Sequence, residues 1–179
     1  MESDLIIRAK EFAIKKHKGQ TRKDGSPYVN HPIRVADIVS KFKKSHKIDD
    51  LVAAAYLHDT LEETDTGVYE LSENFGYLVA LLVVELTTDK FSCSKVGKTA
   101  YLAHKLSSEN ALGNWALVIK LADRLDNVSD LITMDIKFAK KYKKETEEIL
   151  KVVEEKRELT EVHKKLIKVI REKLEEVVL

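Results

Sequence analysis

Only two prolines and six glycines interrupt 179 residues. Proline and glycine are the residues that end or weaken helices, so long uninterrupted helices are expected. The apolar residues fall into helical spacing along much of the chain. "DLIIRAKEFAIKKH" places Leu5, Ala9, Phe12 and Ala13 on one stripe and ends near Gly19. "GQTRKDGSPYVN" is a polar, turn-rich loop, with Asp24-Gly25 and Ser26-Pro27 as breakers. Asn30 then reads as a helix N-cap, with Pro32 in the first turn and Ile33, Val35, Ala36 and Val39 following.

The next helix is expected to start at Asp49 or Asp50 and to run through "LVAAAYLHDTLEE" to about Glu63. Thr64 to Gly67 is either a turn or the cap of "GVYELSENF". "YLVALLVVELT" is almost wholly apolar, and its length favours a buried helix over a strand. "SKVGKTAYLAHKL" reads as one helix. "ALGNWALVIKLADRLDNVSDLI" contains a long one with Val118, Leu121, Ala122, Leu125 and Val128 inward. Two amphipathic helices are expected over about 135–179. The first carries Ala139, Tyr142, Thr146, Ile149 and Val153; the second is capped by Thr160 and striped by Ile167, Ile170, Leu174 and Val178. The expected fold is a single all-α domain, residues 1–179, built as a helical bundle of about eight or nine helices.

Composition narrows the partners. Lys and Arg number 31 against 30 Asp and Glu, so charge gives no general reason to expect nucleic acid or membrane binding. The Lys/Glu-rich outer faces of the last helices read as solvated, pair-rich surfaces. No apolar run approaches the roughly 18 residues needed to span a bilayer, and no secretory signal opens the chain, so the expected location is cytoplasmic. Cys93 is the only cysteine; it forms no internal disulfide and reads as a packing or surface residue.

The chemistry concentrates where the alanine run meets "LHDTLEET". On a continuous helix His58 and Glu62 share one face and Asp59 and Glu63 the adjacent one. His31 stands at a helix start, and Asp123 interrupts "ALVIKLADRL" with Asn127 four residues on and Asp130 a turn beyond. Imidazole and carboxylate ligands suit Mn²⁺, Fe²⁺, Zn²⁺ or Mg²⁺. A divalent cation acidifies a water that it binds and polarises a phosphoryl group. Glu62 and Glu63 are near enough in sequence to orient or deprotonate such a water. Taken singly, each of these residues reads as structural before catalytic: a hydrogen-bonded histidine, or Asp123 as a cap or paired with Arg124 or Lys120. Residue types and spacing leave both readings open.

The wording around these residues is more specific. A His, an adjacent His-Asp and a distant Asp resemble the HD superfamily of metal-dependent phosphohydrolases. "HKGQTRKDGSPYVNHPIRVADIV", "AAAYLHDTLEETDT", "FGYLVALLVVELT" and "LVIKLADRLDNVSDL" resemble, in order, the hydrolase domain of RelA/SpoT proteins over about residues 4–140. With no synthetase domain following, the expected type is a stand-alone small alarmone hydrolase.

The resemblance implies metal ligands at His31, His58, Asp59 and Asp123, with Mn²⁺ the usual ion. It implies a catalytic role for Glu62, with Glu63 standing where the family often has Asp. It implies phosphate contacts from Arg22 and Lys23 and a nucleoside contact from Asn127. Lys95 and Lys98 are weaker phosphate candidates, and Asp130 stands where the family often has Thr near the nucleotide pocket. Asp126 replaces a His in "ADRLHNM". The implied reaction removes the 3′-diphosphate of ppGpp or pppGpp, giving GDP or GTP plus pyrophosphate. Two other readings stand beside it. One is hydrolysis of another phosphorylated nucleotide, such as NADPH or an adenine alarmone; the other is a non-catalytic alarmone sensor.

Overall fold

A computed structural model describes residues 3–107 and 111–177. The described residues form eleven α-helical segments and one 3₁₀ turn, nine of the helices being eight residues or longer, and no strand. The all-α expectation therefore holds. The chain divides into two compact units, 1–87 and 88–179. Among the described residues no helix is long and apolar enough to cross a membrane.

The first unit contains α1 (Asp4–Lys16), α2 (Asn30–Phe42), α3 (Ile48–Leu57), α4 (Thr60–Glu63), α5 (Val68–Phe75) and α6 (Tyr77–Leu86). Its hub is α3, which packs against α1, α2 and α6. Every residue from Leu51 to Leu57 is buried, so α3 is apolar on all sides, as a central helix must be. Ala53, Ala54 and Ala55 are completely buried, and their single methyl groups let neighbouring backbones approach closely. "YLVALLVVEL" forms α6, with Val79, Ala80, Leu82, Val83 and Leu86 buried. Of the two readings for Thr64 to Gly67, the cap holds: Gly67 stands in extended conformation as the N-cap of α5.

Two expected helices are each split. The helix expected through Glu63 breaks between α3 and α4, at His58 and Asp59. The helix expected over "SKVGKTAYLAHKL" is two, α7 (Lys90–Val96) and α8 (Lys98–Leu106). Gly97 separates them at φ 86°, a left-handed value that a residue with a Cβ rarely adopts. Asn30 lies just inside α2, with Val29 as the N-cap.

The second unit contains α7, α8, α9 (Ala111–Ser129), a 3₁₀ turn (Leu131–Thr133), α10 (Ile136–Lys156) and α11 (Glu161–Glu176). Leu117, Val118, Ile119, Leu121, Ala122, Leu125 and Val128 bury one side of α9, which packs on α11. Ile149 and Val153 of α10 and Leu166, Ile167, Ile170 and Leu174 of α11 supply the rest of that core. Val178, expected on the α11 stripe, lies outside the described residues. Thr160 caps α11 in a capping box with His163. On the outer face of α10, Lys141–Glu145, Lys144–Glu148 and Lys151–Glu155 form the expected four-residue ion pairs.

Arg157, just past α10, is 6% exposed. Its Nη1 donates to the Leu106 carbonyl at 2.7 Å and its Nη2 to the Asn114 side-chain oxygen. Removing the guanidinium takes a donor from two half-buried acceptors, and an unsatisfied buried group costs about 1–3 kcal/mol. Arg157→Ala is therefore expected to lower unfolding stability by about 1–3 kcal/mol, measured by urea titration followed by circular dichroism.

Candidate metal centre

The break between α3 and α4 has a local cause. His58 Nδ1 lies 2.8 Å from the Ala55 carbonyl, and Thr60 Oγ1 donates to the Leu57 carbonyl at 2.7 Å. In a continuous helix those carbonyls accept the N–H groups of Asp59 and Leu61. Side chains that compete for helical carbonyls weaken or bend the helix. The chain re-forms a single turn beyond, where Glu62 N–H and Glu63 N–H both donate to the Asp59 carbonyl, at 3.1 and 2.9 Å. The break alters the face-sharing expected of a straight helix from His58 to Glu63: Glu62 is half-buried and Glu63 is exposed.

The same break brings three ionisable groups together. His58 is completely buried and His31, in the first turn of α2, is 2% exposed. Their rings meet edge to face with centroids 5.1 Å apart. Asp59 Oδ2 lies 3.2 Å from His58 Nε2 and 3.6 Å from His31 Nε2.

The tautomer of His58 follows from its neighbour. A carbonyl oxygen only accepts, so Nδ1 carries the proton and a neutral ring presents a lone pair at Nε2. That lone pair faces a carboxylate oxygen. Two acceptors at 3.2 Å repel unless positive charge lies between them. The donor set therefore fits a divalent cation: two imidazole nitrogens and one carboxylate oxygen, with a histidine oriented through its other nitrogen in the manner usual for metal ligands.

The loop between α1 and α2 lies against this cluster. Arg22 N–H donates to the Ser26 carbonyl at 2.8 Å and Gly25 N–H to the Arg22 carbonyl at 3.0 Å. Gly25, at φ 83°, makes the tight turn, as expected of Asp24-Gly25. Arg22 is half-buried and Lys23 exposed. Tyr28, at the far end of the loop, donates its hydroxyl to Asp59 Oδ2 at 2.7 Å.

In the second unit, Asn127 Nδ2 donates to Asp123 Oδ1 at 2.6 Å, and Lys120 Nζ lies 3.5 Å from Asp123 Oδ2. The face shared by Asp123 and Asn127 is thus realised as a direct contact, and the Lys120 pairing is present as well. Asp126 is 4% exposed and Asp130 half-buried, whereas Lys95 and Lys98 are exposed. Arg124 turns aside to stack its guanidinium 4.7 Å over the Tyr142 ring.

A family profile described as HD domain matches residues 9–107, more than half of the chain. The chain belongs to the HD domain family. This HD-domain protein is 41% identical over 153 residues to a protein of Aquifex aeolicus named guanosine-3′,5′-bis(diphosphate) 3′-pyrophosphohydrolase. That match takes in 82% of the chain but only 20% of the longer Aquifex protein. It is also 40% identical over 134 residues to human MESH1, which carries the same enzyme name, covering 73% of this chain and 71% of the human one. Among solved structures it is similar to a metazoan ortholog of SpoT described as hydrolysing ppGpp. There the TM-score is 0.78 and the identity 26%, with 99% of both chains covered. Membership of the family implies a divalent metal, and within the first unit His31 and His58 each offer a ligand atom.

Tyr28, Gln20 and His17 are the site neighbours that residue-by-residue reading passes over. Tyr28 and Asp59 are 31 residues apart, and no helical or turn spacing connects them. The one local cue is that Tyr28 closes the polar loop immediately before the α2 N-terminus.

Asp24 gives a direct test of the loop. Its carboxylate accepts from the Ser26 hydroxyl at 2.7 Å and the Ser26 N–H at 2.9 Å, and these bonds hold its pKa below the ordinary value. A depressed carboxylate pKa means that the loop contact is present above the unfolded value, about 3.9, and is lost as pH falls through the folded one. An NMR titration is expected to place the Asp24 midpoint below 3.9 in the native protein and to move it upward in Ser26→Ala.

Proposed function

We propose that this HD-domain protein is a guanosine-3′,5′-bis(diphosphate) 3′-pyrophosphohydrolase, cleaving ppGpp or pppGpp to GDP or GTP plus pyrophosphate. The observation that carries the reading is a coincidence. Relatives about 40% identical bear this enzyme name, and the chain itself gathers His31, His58 and Asp59 into a cluster fit for a divalent cation. The substrate is a small nucleotide, and a cytoplasmic location goes with it.

His31, His58 and Asp59 are assigned as metal ligands, with Asp123 as the fourth on the family pattern, and Mn²⁺ as the ion. When bound, the ion supplies charge that acidifies a water and polarises the phosphoryl group. The protein's own groups do the rest. Glu62 accepts the proton of the attacking water. The water oxygen bonds to the phosphorus on the ribose 3′-oxygen, the bond to that oxygen breaks, and the proton that Glu62 accepted passes to the leaving 3′-oxygen. Arg22 offers a planar fork to the diphosphate oxygens and Lys23 a mobile point charge. Asn127 contacts the nucleoside, with Asp130 nearby in sequence. Lys95 and Lys98 are the secondary phosphate contacts.

The burial of the two glutamates supports unequal roles. A half-buried carboxylate at Glu62 is held and partly desolvated, whereas the exposed Glu63 side chain is hydrated. General acid–base groups contribute about 10²–10⁴-fold in rate. Glu62→Gln is expected to lose activity within that range while retaining metal, and Glu63→Asp to be mild, both followed as pyrophosphate release from ppGpp. Loss of metal from Glu62→Gln would make Glu62 a ligand instead.

Asp59→Ala is expected to abolish ppGpp hydrolysis with the helical circular dichroism spectrum intact. Wild-type turnover by Asp59→Ala with Mn²⁺ overturns the assignment. Tight ppGpp binding by the native protein, with no turnover across several divalent metals, would make the domain a sensor. A panel that includes NADPH and adenine alarmones, read by product mass, tests the substrate.

A further inference from the structure

The tyrosine at the end of the α1–α2 loop has a feature that its neighbours do not explain structurally. Tyr28 directs its hydroxyl at Asp59 Oδ2, the oxygen that also faces His58 Nε2 and His31 Nε2. The Asp59 side chain is 16% exposed and stands at the break between α3 and α4, beyond the last regular turn of α3. A carboxylate there lies outside the regular helical turns of α3. His58 is oriented by the Ala55 carbonyl; for Asp59 the Tyr28 hydroxyl performs the equivalent task.

Tyr28 is itself held from several sides. Its N–H donates to the Gln20 carbonyl at 3.0 Å. Its ring stacks on the His17 imidazole, centroids 4.9 Å apart and planes inclined by 24°, and meets His31 edge-on at 6.3 Å. His17 is buried and its Nδ1 lies 2.8 Å from Gln20 Oε1. The Gln20 amide nitrogen donates to the Glu63 carbonyl at 2.7 Å. The loop is thus tied to the α3–α4 break at two points, through Tyr28 to the Asp59 side chain and through Gln20 to the Glu63 backbone.

We propose that Tyr28 is a positioning residue for the metal centre: its hydroxyl fixes the Asp59 carboxylate in the orientation that presents Oδ2 toward the two imidazoles, and thereby sets metal affinity. The inference rests on the reading of Asp59 as a ligand. A phenol that donates to one lone pair of Oδ2 leaves the oxygen's other lone pair for a cation, so the contact is compatible with ligation. Groups that orient metal ligands in this way typically contribute 10–100-fold in metal affinity.

The test compares wild type, Tyr28→Phe and Asp59→Ala by calorimetric titration of metal-free protein with Mn²⁺, with the thermal midpoint of each measured in chelator. Tyr28→Phe keeps the ring on His17 and removes only the hydroxyl. The expected result is a 10–100-fold weaker Mn²⁺ Kd in Tyr28→Phe at a metal-free midpoint near that of wild type. Its kcat should recover as Mn²⁺ is raised to saturation. A purely structural tyrosine would lower the metal-free midpoint and leave the Kd unchanged. A wild-type Kd in Tyr28→Phe, with Asp59→Ala losing Mn²⁺, overturns the role of Tyr28 alone. Wild-type Mn²⁺ binding by Asp59→Ala overturns the ligand reading and this inference with it. If Tyr28→Phe does not fold, Gln20→Ala, which unties the same loop without touching the phenol, serves instead. Tight Mn²⁺ binding in a Gln20→Ala protein whose Tyr28 hydroxyl resonance has lost its hydrogen-bonded shift then overturns the proposal.

Discussion

The hydrogen bond from His58 Nδ1 to the Ala55 carbonyl is the contact on which the cluster depends. It orients the imidazole, fixes which nitrogen carries the proton, and occupies a carbonyl that a continuing helix needs. The Thr60 hydroxyl occupies a second, that of Leu57. Ending a helix in the protein interior leaves carbonyls to be satisfied, each worth about 1–3 kcal/mol if orphaned. Here the side chains that end the helix are also the ones that satisfy it. The apolar part of α3 adds to this, because burying Leu51 and Leu57 completely contributes about 1.5–3 kcal/mol apiece. A helix so enclosed is a rigid base, and His58 sits at its end.

Rigidity has an electrostatic consequence. His58 Nε2, His31 Nε2 and Asp59 Oδ2 are held within hydrogen-bonding or near-contact range in a largely buried setting. With its ring neutral, His58 turns a lone pair toward the Asp59 carboxylate. A divalent cation between them turns that repulsion into attraction. The Tyr28 hydroxyl offsets part of the negative charge on Oδ2 by donating to it, without neutralising it. The loop that carries Tyr28 also carries Arg22 and Lys23, so the residue that contacts the Asp59 carboxylate and those proposed to meet phosphate share one short segment closed by the turn at Gly25.

Much of this was legible in the residues, and the parts that were not have specific causes. Helical stripes at 3.6-residue spacing located the long helices, and the length of "YLVALLVVEL" identified α6 correctly as a buried helix. The break at Gly97 was marked by a residue suited to left-handed backbone, yet the flanking helical pattern masks it when read by periodicity alone. The break at His58–Asp59 carried no glycine or proline. It arises because His58 and Thr60 compete locally for carbonyls, an effect that composition and hydropathy do not register. The resemblance drew attention to His31, His58 and Asp59, and the geometry of the first unit groups them. The Tyr28 contact was invisible because it joins a loop to a helix end across 31 residues by one hydroxyl.

The break also accounts for the asymmetry between two glutamates that are chemically identical and adjacent. In a single-turn helix begun at Asp59, consecutive side chains diverge by about 100°. One of the pair turns toward the protein and the other toward solvent: Glu62 is half-buried and Glu63 exposed. Gln20 then grips Glu63 by its backbone carbonyl, which fixes the main chain of the turn without engaging the Glu63 carboxylate. A tethered main chain orients a neighbouring side chain only when packing limits that side chain's rotamers. Glu62 meets that condition and Glu63 does not. The loop that positions Asp59 through Tyr28 therefore also steadies the turn bearing Glu62, and a change at Gln20 reaches Glu62 through the backbone.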